Sequence, residues 1–135
     1  MSATSLALVM YIVWTVLLIF MLVGCRAMLV IAENRSVKFN ADGSDVGQRG
    51  LRITRAHANC VESSVIIVGT LLLAIALQQQ AVTDPLAYTL IACRVVQSLV
   101  HISSGAVWAI AIRGVAFLAQ LVICLYWLAM MAGVS

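Results

Sequence analysis

Charged side chains are what this sequence has least of. Asp, Glu, Lys and Arg make up 10% of its 135 residues, against about a quarter in soluble domains. That deficit, beside a hydrophobic share of 64% and a mean hydropathy of +1.09, excludes a soluble fold and leaves an integral membrane protein. Membrane-crossing strands would alternate apolar and polar residues over about ten positions, and no segment here does so. Long continuous apolar runs therefore mean helices, which satisfy their own backbone inside lipid. A span takes about 20 residues, so at most four fit beside one polar loop, with no room for a soluble domain. The opening Met-Ser-Ala-Thr-Ser carries no basic residue and no small-residue cleavage pattern follows the first apolar run, so a removed signal peptide is not expected. C-x-x-C spacing is missing too. Cys25, Cys60, Cys93 and Cys124 are well separated inside apolar runs and read as small packing residues, not as a disulfide framework or a metal site. In so apolar a chain the net charge of +3 does not indicate nucleic-acid binding; the basic residues serve topology instead.

The pattern predicts an all-α, four-helix transmembrane bundle with spans at about residues 5–33, 51–78, 85–104 and 114–132. The segment from Arg35 to Gly50 is the one extended hydrophilic stretch, and Asp84-Pro85 is expected to open the third helix as an N-cap followed by a first-turn proline. Arg26, Arg35, Lys38, Arg49, Arg52 and Arg55 surround the first loop and Arg113 lies at the third, while the second loop and both termini carry no Lys or Arg. The positive-inside rule then makes the first and third loops cytoplasmic and puts both termini on the opposite side.

Against that background, the stretch Arg55-Ala56-His57-Ala58-Asn59-Cys60-Val61-Glu62 stands out. It places four strongly polar side chains directly ahead of an uncharged run from Ser63 to Ala81. An Arg near a helix centre costs roughly 2.5–3.5 kcal/mol on insertion scales, so the cluster calls for a function. Arg55, Asn59 and Glu62 are spaced i, i+4, i+7 and share one helix face; Arg94, Gln97, Ser98 and His101 make a second stripe on span 3. Neither stripe suits lipid, so both are expected to face the bundle interior or a subunit interface. Arg94 is the deepest cation and Glu62 the deepest acid, and they are expected to pair. Arg26, Arg49 and Arg52 also read as snorkelling interfacial cations. His57 falls off the shared face and reads as a packing residue. Trp14, Trp108 and Trp127 read as interface anchors or packing.

These residues resemble the family of membrane-associated proteins in eicosanoid and glutathione metabolism (MAPEG). Its R-A-H-x-N-x-x-E signature is matched by Arg55, Ala56, His57, Asn59 and Glu62, and its further arginines by Arg26, Arg94 and Arg113. The resemblance extends over essentially the whole chain and implies a homotrimer. It implies glutathione as co-substrate, held at subunit interfaces that open to the cytoplasm, and a transferase or peroxidase acting on hydrophobic or lipid electrophiles that arrive from the bilayer. It implies that Arg26, Arg55, Asn59, Glu62 and Arg94 bind or support glutathione, and that Arg113 favours the thiolate. His101 stands with Gln97 and Ser98 where active members often carry Tyr, so it is taken as a further binding position. Gly114 replaces a frequent Ser and Phe117 a frequent Tyr. Two other functions are open: a non-catalytic lipid-binding or assembly member, and a haem-binding electron-transfer subunit ligated by His57 and His101.

Overall fold

The structure, a computed structural model, describes residues 1–133 as four helices: α1 Ala3–Ala32, α2 Gly47–Ala76, α3 Gln80–Ser103 and α4 Val107–Met131. All four are long and apolar enough to cross a membrane, which makes the chain an integral, multi-pass membrane protein. At 30 residues each, α1 and α2 are about 45 Å long and exceed the roughly 30 Å hydrocarbon layer.

Each helix buries a narrow seam. Thr4, Ala7, Tyr11 and Leu18 on α1, Cys60, Ser63, Ile67, Thr70 and Ala74 on α2, and Thr83, Ala87, Leu90, Arg94 and Gln97 on α3 follow the alternating three- and four-residue spacing of bundle helices. Ala109, Ala116, Gln120, Cys124 and Trp127 supply the seam of α4. The seams are rich in small residues, which let backbones approach where lipid provides no hydrophobic drive for association. The packed centre consists of α2 and α3: α1 lies against both, α4 packs chiefly on α3, and α1 and α4 do not meet.

Three helix starts differ from the sequence expectation, and the first is α2, which begins at Gly47 rather than near Leu51. Helix α3 starts at Gln80 rather than at Pro85, so Asp84 does not cap its own helix. Its Oδ1 accepts from the Thr4 backbone N–H (2.8 Å) and the Thr4 hydroxyl (2.6 Å), while the Ser2 hydroxyl caps the Ser5 N–H of the same helix start. The carboxylate thus satisfies an orphan N–H of α1 and sits at the positive end of that helix's dipole. Helix α3 can begin early because the α2–α3 turn is built from α2's own C-terminus. Gln78, at φ 56, turns the chain, its N–H bonds to Ile75 O, and the Gln79 N–H bonds to Ala74 O, which is the Schellman arrangement. Helix α4 begins at Val107, not near Gly114, so Arg113 lies almost two turns inside it; the apolar stretch Val107–Ile112 continues the helix where charge alone suggested a connection.

The first loop is folded against α2. Gly43 takes φ +72, and a Cβ there would lie 2.6 Å from Thr54 Oγ1, so the close approach requires glycine. Asp45 accepts from the Asn40 N–H through Oδ2 at 3.0 Å, and the Asp45 carbonyl accepts from Arg35 at 2.8 Å.

Candidate functional site

Many of the polar residues of the four helices fall into two tiers. The lower tier is inside the bundle. Arg94 is 1% exposed; its Nη1 donates to Asn59 Oδ1 (3.0 Å), its Nη2 donates to Ser63 Oγ (2.7 Å), and its guanidinium carbon lies 5.6 Å from the centre of the Tyr11 ring. Asn59 Oδ1 also accepts from Gln97 Nε2 (2.9 Å), and Gln97 Oε1 accepts from Gln120 Nε2 (2.9 Å). The Tyr11 hydroxyl donates to the Cys60 carbonyl at 2.7 Å. One hydrogen-bonded chain therefore joins α4, α3 and α2, with the Tyr11 ring of α1 against the Arg94 end.

This arrangement corrects the expected ion pair. Arg94 is held by neutral acceptors, and Glu62 is exposed on the outside of α2. The reason is helical: the buried seam of α2 runs through Cys60, Ser63 and Ile67, which turns Asn59 and Ser63 toward α3 and leaves Glu62 beyond the edge. Neutral acceptors with an aromatic face are a workable setting for a buried guanidinium, because both terminal nitrogens of Arg94 are hydrogen-bonded and its charge lies over the Tyr11 ring. Arg94 Nε and Gln120 Oε1 are buried without a partner.

The upper tier is an open cleft at the Arg-rich end of the bundle, of about 530 Å³, between α2, α3 and α4. Arg52 and Arg55 come from α2, His101 and Ser104 from the end of α3, and Arg113 from α4. Gln48 completes its polar lining, and no carboxylate is among the lining residues. Arg52 is anchored: its Nη1 donates to the carbonyl of Ser103, the last residue of α3, at 3.3 Å. Arg55 also borders a recess of about 400 Å³ formed with Ala41, Asp42 and Ser44 of the first loop. There the Ser44 N–H, 3.0 Å from Asp42 Oδ1, together with the Ser44 hydroxyl, holds the Asp42 carboxyl below its usual range; the Arg55 charge adds a smaller push in the same direction.

Of the residues expected to form one site, Arg55, His101 and Arg113 meet in this cleft, and Asn59 and Arg94 lie in the interior tier. Arg26 joins neither. It borders a separate recess of about 320 Å³ with Val37 and Phe39, its guanidinium 5.6 Å from the Phe39 ring and its Nη2 donating to the Asn40 carbonyl at 3.3 Å. Glu62 is not among the cleft residues either, and His57 is half-buried with Nε2 enclosed and unpartnered, away from the cleft lined by His101. A haem ligated by both histidines therefore draws no support from the geometry. Arg52, read from sequence as an interfacial cation, belongs to the cleft; the signal was its spacing, since Gln48, Arg52 and Arg55 lie at i, i+4, i+7. Tyr11 was passed over, although a phenol in the middle of an apolar helix needs a polar partner.

A helical membrane bundle with a cation-lined cleft at one end and a buried polar chain beneath it is the class of protein that fold and site define. The model of the MAPEG family matches residues 4–133, so the chain belongs to that family. Comparison with curated proteins and with solved structures returned no match.

Proposed function

We propose that this protein is a membrane-bound glutathione-dependent transferase or peroxidase acting on lipophilic electrophiles, with glutathione seated in the cleft between α2, α3 and α4. The observation that carries the proposal is the composition of that cleft: three guanidiniums and one imidazole with no acid among them. Such a lining suits a ligand with more carboxylates than ammonium groups, and glutathione has two and one. Arginine can bind each carboxylate with two parallel hydrogen bonds. Arg55 and Arg52 are the carboxylate partners in this reading. Arg113 is the cation beside the thiol, where a neighbouring positive charge favours the nucleophilic thiolate.

Family membership supports glutathione as the co-substrate. It also supports a homotrimer, in which the outward-facing Glu62 and Arg26 of one chain would reach the cleft of the next. Glu62 would then meet the ammonium group and lose its exposure to lipid. Arg94 and Asn59 support the site from below by fixing α3 against α2. With the Arg-rich loops facing the cytoplasm, the cleft opens to the compartment that supplies glutathione, and both termini lie on the far side. An apolar groove of about 450 Å³ between α3 and α4, walled by Ala92, Cys93, Val96, Ile112 and Val115, lies beside Arg113 in sequence and faces the bilayer; it suits the lateral approach of a hydrophobic electrophile.

A second reading, glutathione binding without turnover, is favoured by one observation: no tyrosine hydroxyl lines the cleft. Calorimetry with glutathione and the detergent-solubilised protein tests the shared premise, and conjugation of an aryl halide separates the two readings. Wild-type binding with turnover, and Arg113→Ala retaining binding while losing turnover, is the expected result. Absence of glutathione binding to the wild type would overturn both.

A further inference from the structure

We propose that Asp42 in the first loop binds the γ-glutamyl ammonium group of glutathione and so selects for a free amino-acid head, a role that rests on the glutathione reading of the cleft. The charged lining of the cleft is cationic, with Arg52, Arg55 and Arg113 and no carboxylate. Such a lining attracts the two carboxylates of glutathione and repels its ammonium. That ammonium sits on the same carbon as one of the carboxylates. The group that receives it must therefore stand beside the guanidinium that holds this carboxylate, which calls for an acid next to Arg52 or Arg55.

The chain has five acids, and their positions single out Asp42. Asp84 is engaged by Thr4 at the opposite end of the bundle. Asp45 holds the Asn40 N–H through Oδ2 and has Oδ1 enclosed. Glu33 follows the last turn of α1 and Glu62 is exposed on the outside of α2; neither lines the cleft or the recess beside the first loop. Asp42 does line that recess, of about 400 Å³, and Arg55 lines it with Asp42. Leu51 and Arg55, one turn apart on α2, border both the recess and the cleft. The two hollows thus flank a single ridge, and Arg55 has the cleft on one side and Asp42 on the other.

The loop holds this acid in place and in its charged form. Gly43, at φ +72, lets the backbone next to Asp42 approach Thr54 of α2, and Asp42 takes its hydrogen bonds from Ser44 rather than from Arg55. Its carboxyl is held below the usual range, so it is ionised at neutral pH. A carboxylate has about four acceptor positions, which leaves capacity for an ammonium beside the Ser44 N–H. Asp42 and Arg55 are therefore a carboxylate and a guanidinium that line one recess without a hydrogen bond between them. That arrangement is complementary to the ammonium and carboxylate of an α-amino acid. An ammonium has three donors, so in a trimer Asp42 can share it with Glu62 of a neighbouring chain.

Calorimetry on the full-length protein in detergent, with glutathione and with glutaryl-cysteinyl-glycine, tests the assignment. The second tripeptide lacks only the amino group and keeps the thiol and both carboxylates. The wild type is expected to prefer glutathione on the order of tenfold, as for one hydrogen bond to a charged group. Asp42→Asn keeps an acceptor for the Ser44 N–H and removes the charge. It should bind the des-amino tripeptide no more weakly than the wild type does and glutathione on the order of tenfold more weakly, so the preference disappears. Asp42→Glu should retain part of it. A wild type that binds both tripeptides equally, or a preference that survives in Asp42→Asn, would overturn the proposal while leaving the glutathione reading intact. Equal weakening of both ligands in Asp42→Asn would reduce Asp42 to a loop-structuring residue and equally overturn it. A preference abolished by Glu62→Gln but not by Asp42→Asn would assign the ammonium to Glu62 instead. A wild type that binds neither tripeptide would sink the glutathione reading itself.

Discussion

Arg94 donates to Asn59 Oδ1 at 3.0 Å, and the same oxygen accepts from Gln97, so one side-chain amide on α2 anchors a cation and a second amide on α3. A buried charge without a formal counter-charge depends on every such acceptor, since an uncompensated ion inside a protein is strongly unfavourable.

Asn59→Ala removes that acceptor and leaves two buried donors stranded. It is expected to destabilise the solubilised protein by about 2–3 kcal/mol, the range for hydrogen bonds to charged groups, seen as a lowered thermal midpoint. Glu62→Gln is expected to disturb the bundle less, because Glu62 is exposed and does not hold Arg94. An equal or larger loss for Glu62→Gln would restore the ion pair that the sequence suggested.

Asp84 accepts twice from Thr4, joining the start of α1 to α3. Asp84→Ala should cost on the order of 2 kcal/mol, combining a lost helix cap with a lost charged hydrogen bond. The loss should be concentrated at the N-terminus of α1, with faster amide exchange from Thr4 to Ala7 and little change in the cleft. Uniform exchange across all four helices would show that the clasp is not local.

Gln78 holds φ 56 in the α2–α3 turn, a conformation that costs a non-glycine residue roughly 1–2 kcal/mol. Gln78→Gly is therefore expected to leave stability unchanged or raise it by about 1 kcal/mol, after the entropy of the glycine in the unfolded chain is set against the relieved strain. A clear drop in the thermal midpoint would mean that the Gln78 side chain makes a contact of its own.

Asp42 offers a pH test outside the membrane. Its carboxyl is held below the usual range mainly by Ser44, so the folded loop favours the ionised form. The contribution to loop order is complete above the unfolded carboxyl pKa and is lost as pH falls through the lower folded value. Protection of the Ser44 amide, its exchange relative to an unstructured amide at the same pH, should hold steady at neutral pH and fall only under acid conditions. A loss of that protection between pH 6 and 8 would contradict the assignment.

Element existence was legible from sequence because each apolar run is long, uncharged and separated from the next by polar punctuation. Boundaries were not. Asp84-Pro85 has the composition of a helix start, yet the carboxylate is used by a helix eighty residues earlier, a pairing that local pattern cannot register. The start of α4 was obscured because Arg113 marks a change in charge, while backbone hydrogen bonding continues through the apolar residues before it. The two polar stripes were visible from i, i+4, i+7 spacing, and their depth followed from distance along the helix. What spacing could not supply was the angle of each stripe to the neighbouring helix. That angle turns Asn59 inward and leaves Glu62 outside, and it separates Arg26 from Arg55 and Arg113.

The absence of contact between α1 and α4 has a consequence for how the protein can vary. Perturbations on one flank reach the other only through the α2–α3 pair, so paired substitutions on the outer faces of α1 and α4 should add without coupling inside a single chain. Any non-additivity between such positions would have to pass from one chain to another, which makes the cross-term itself a reporter of assembly.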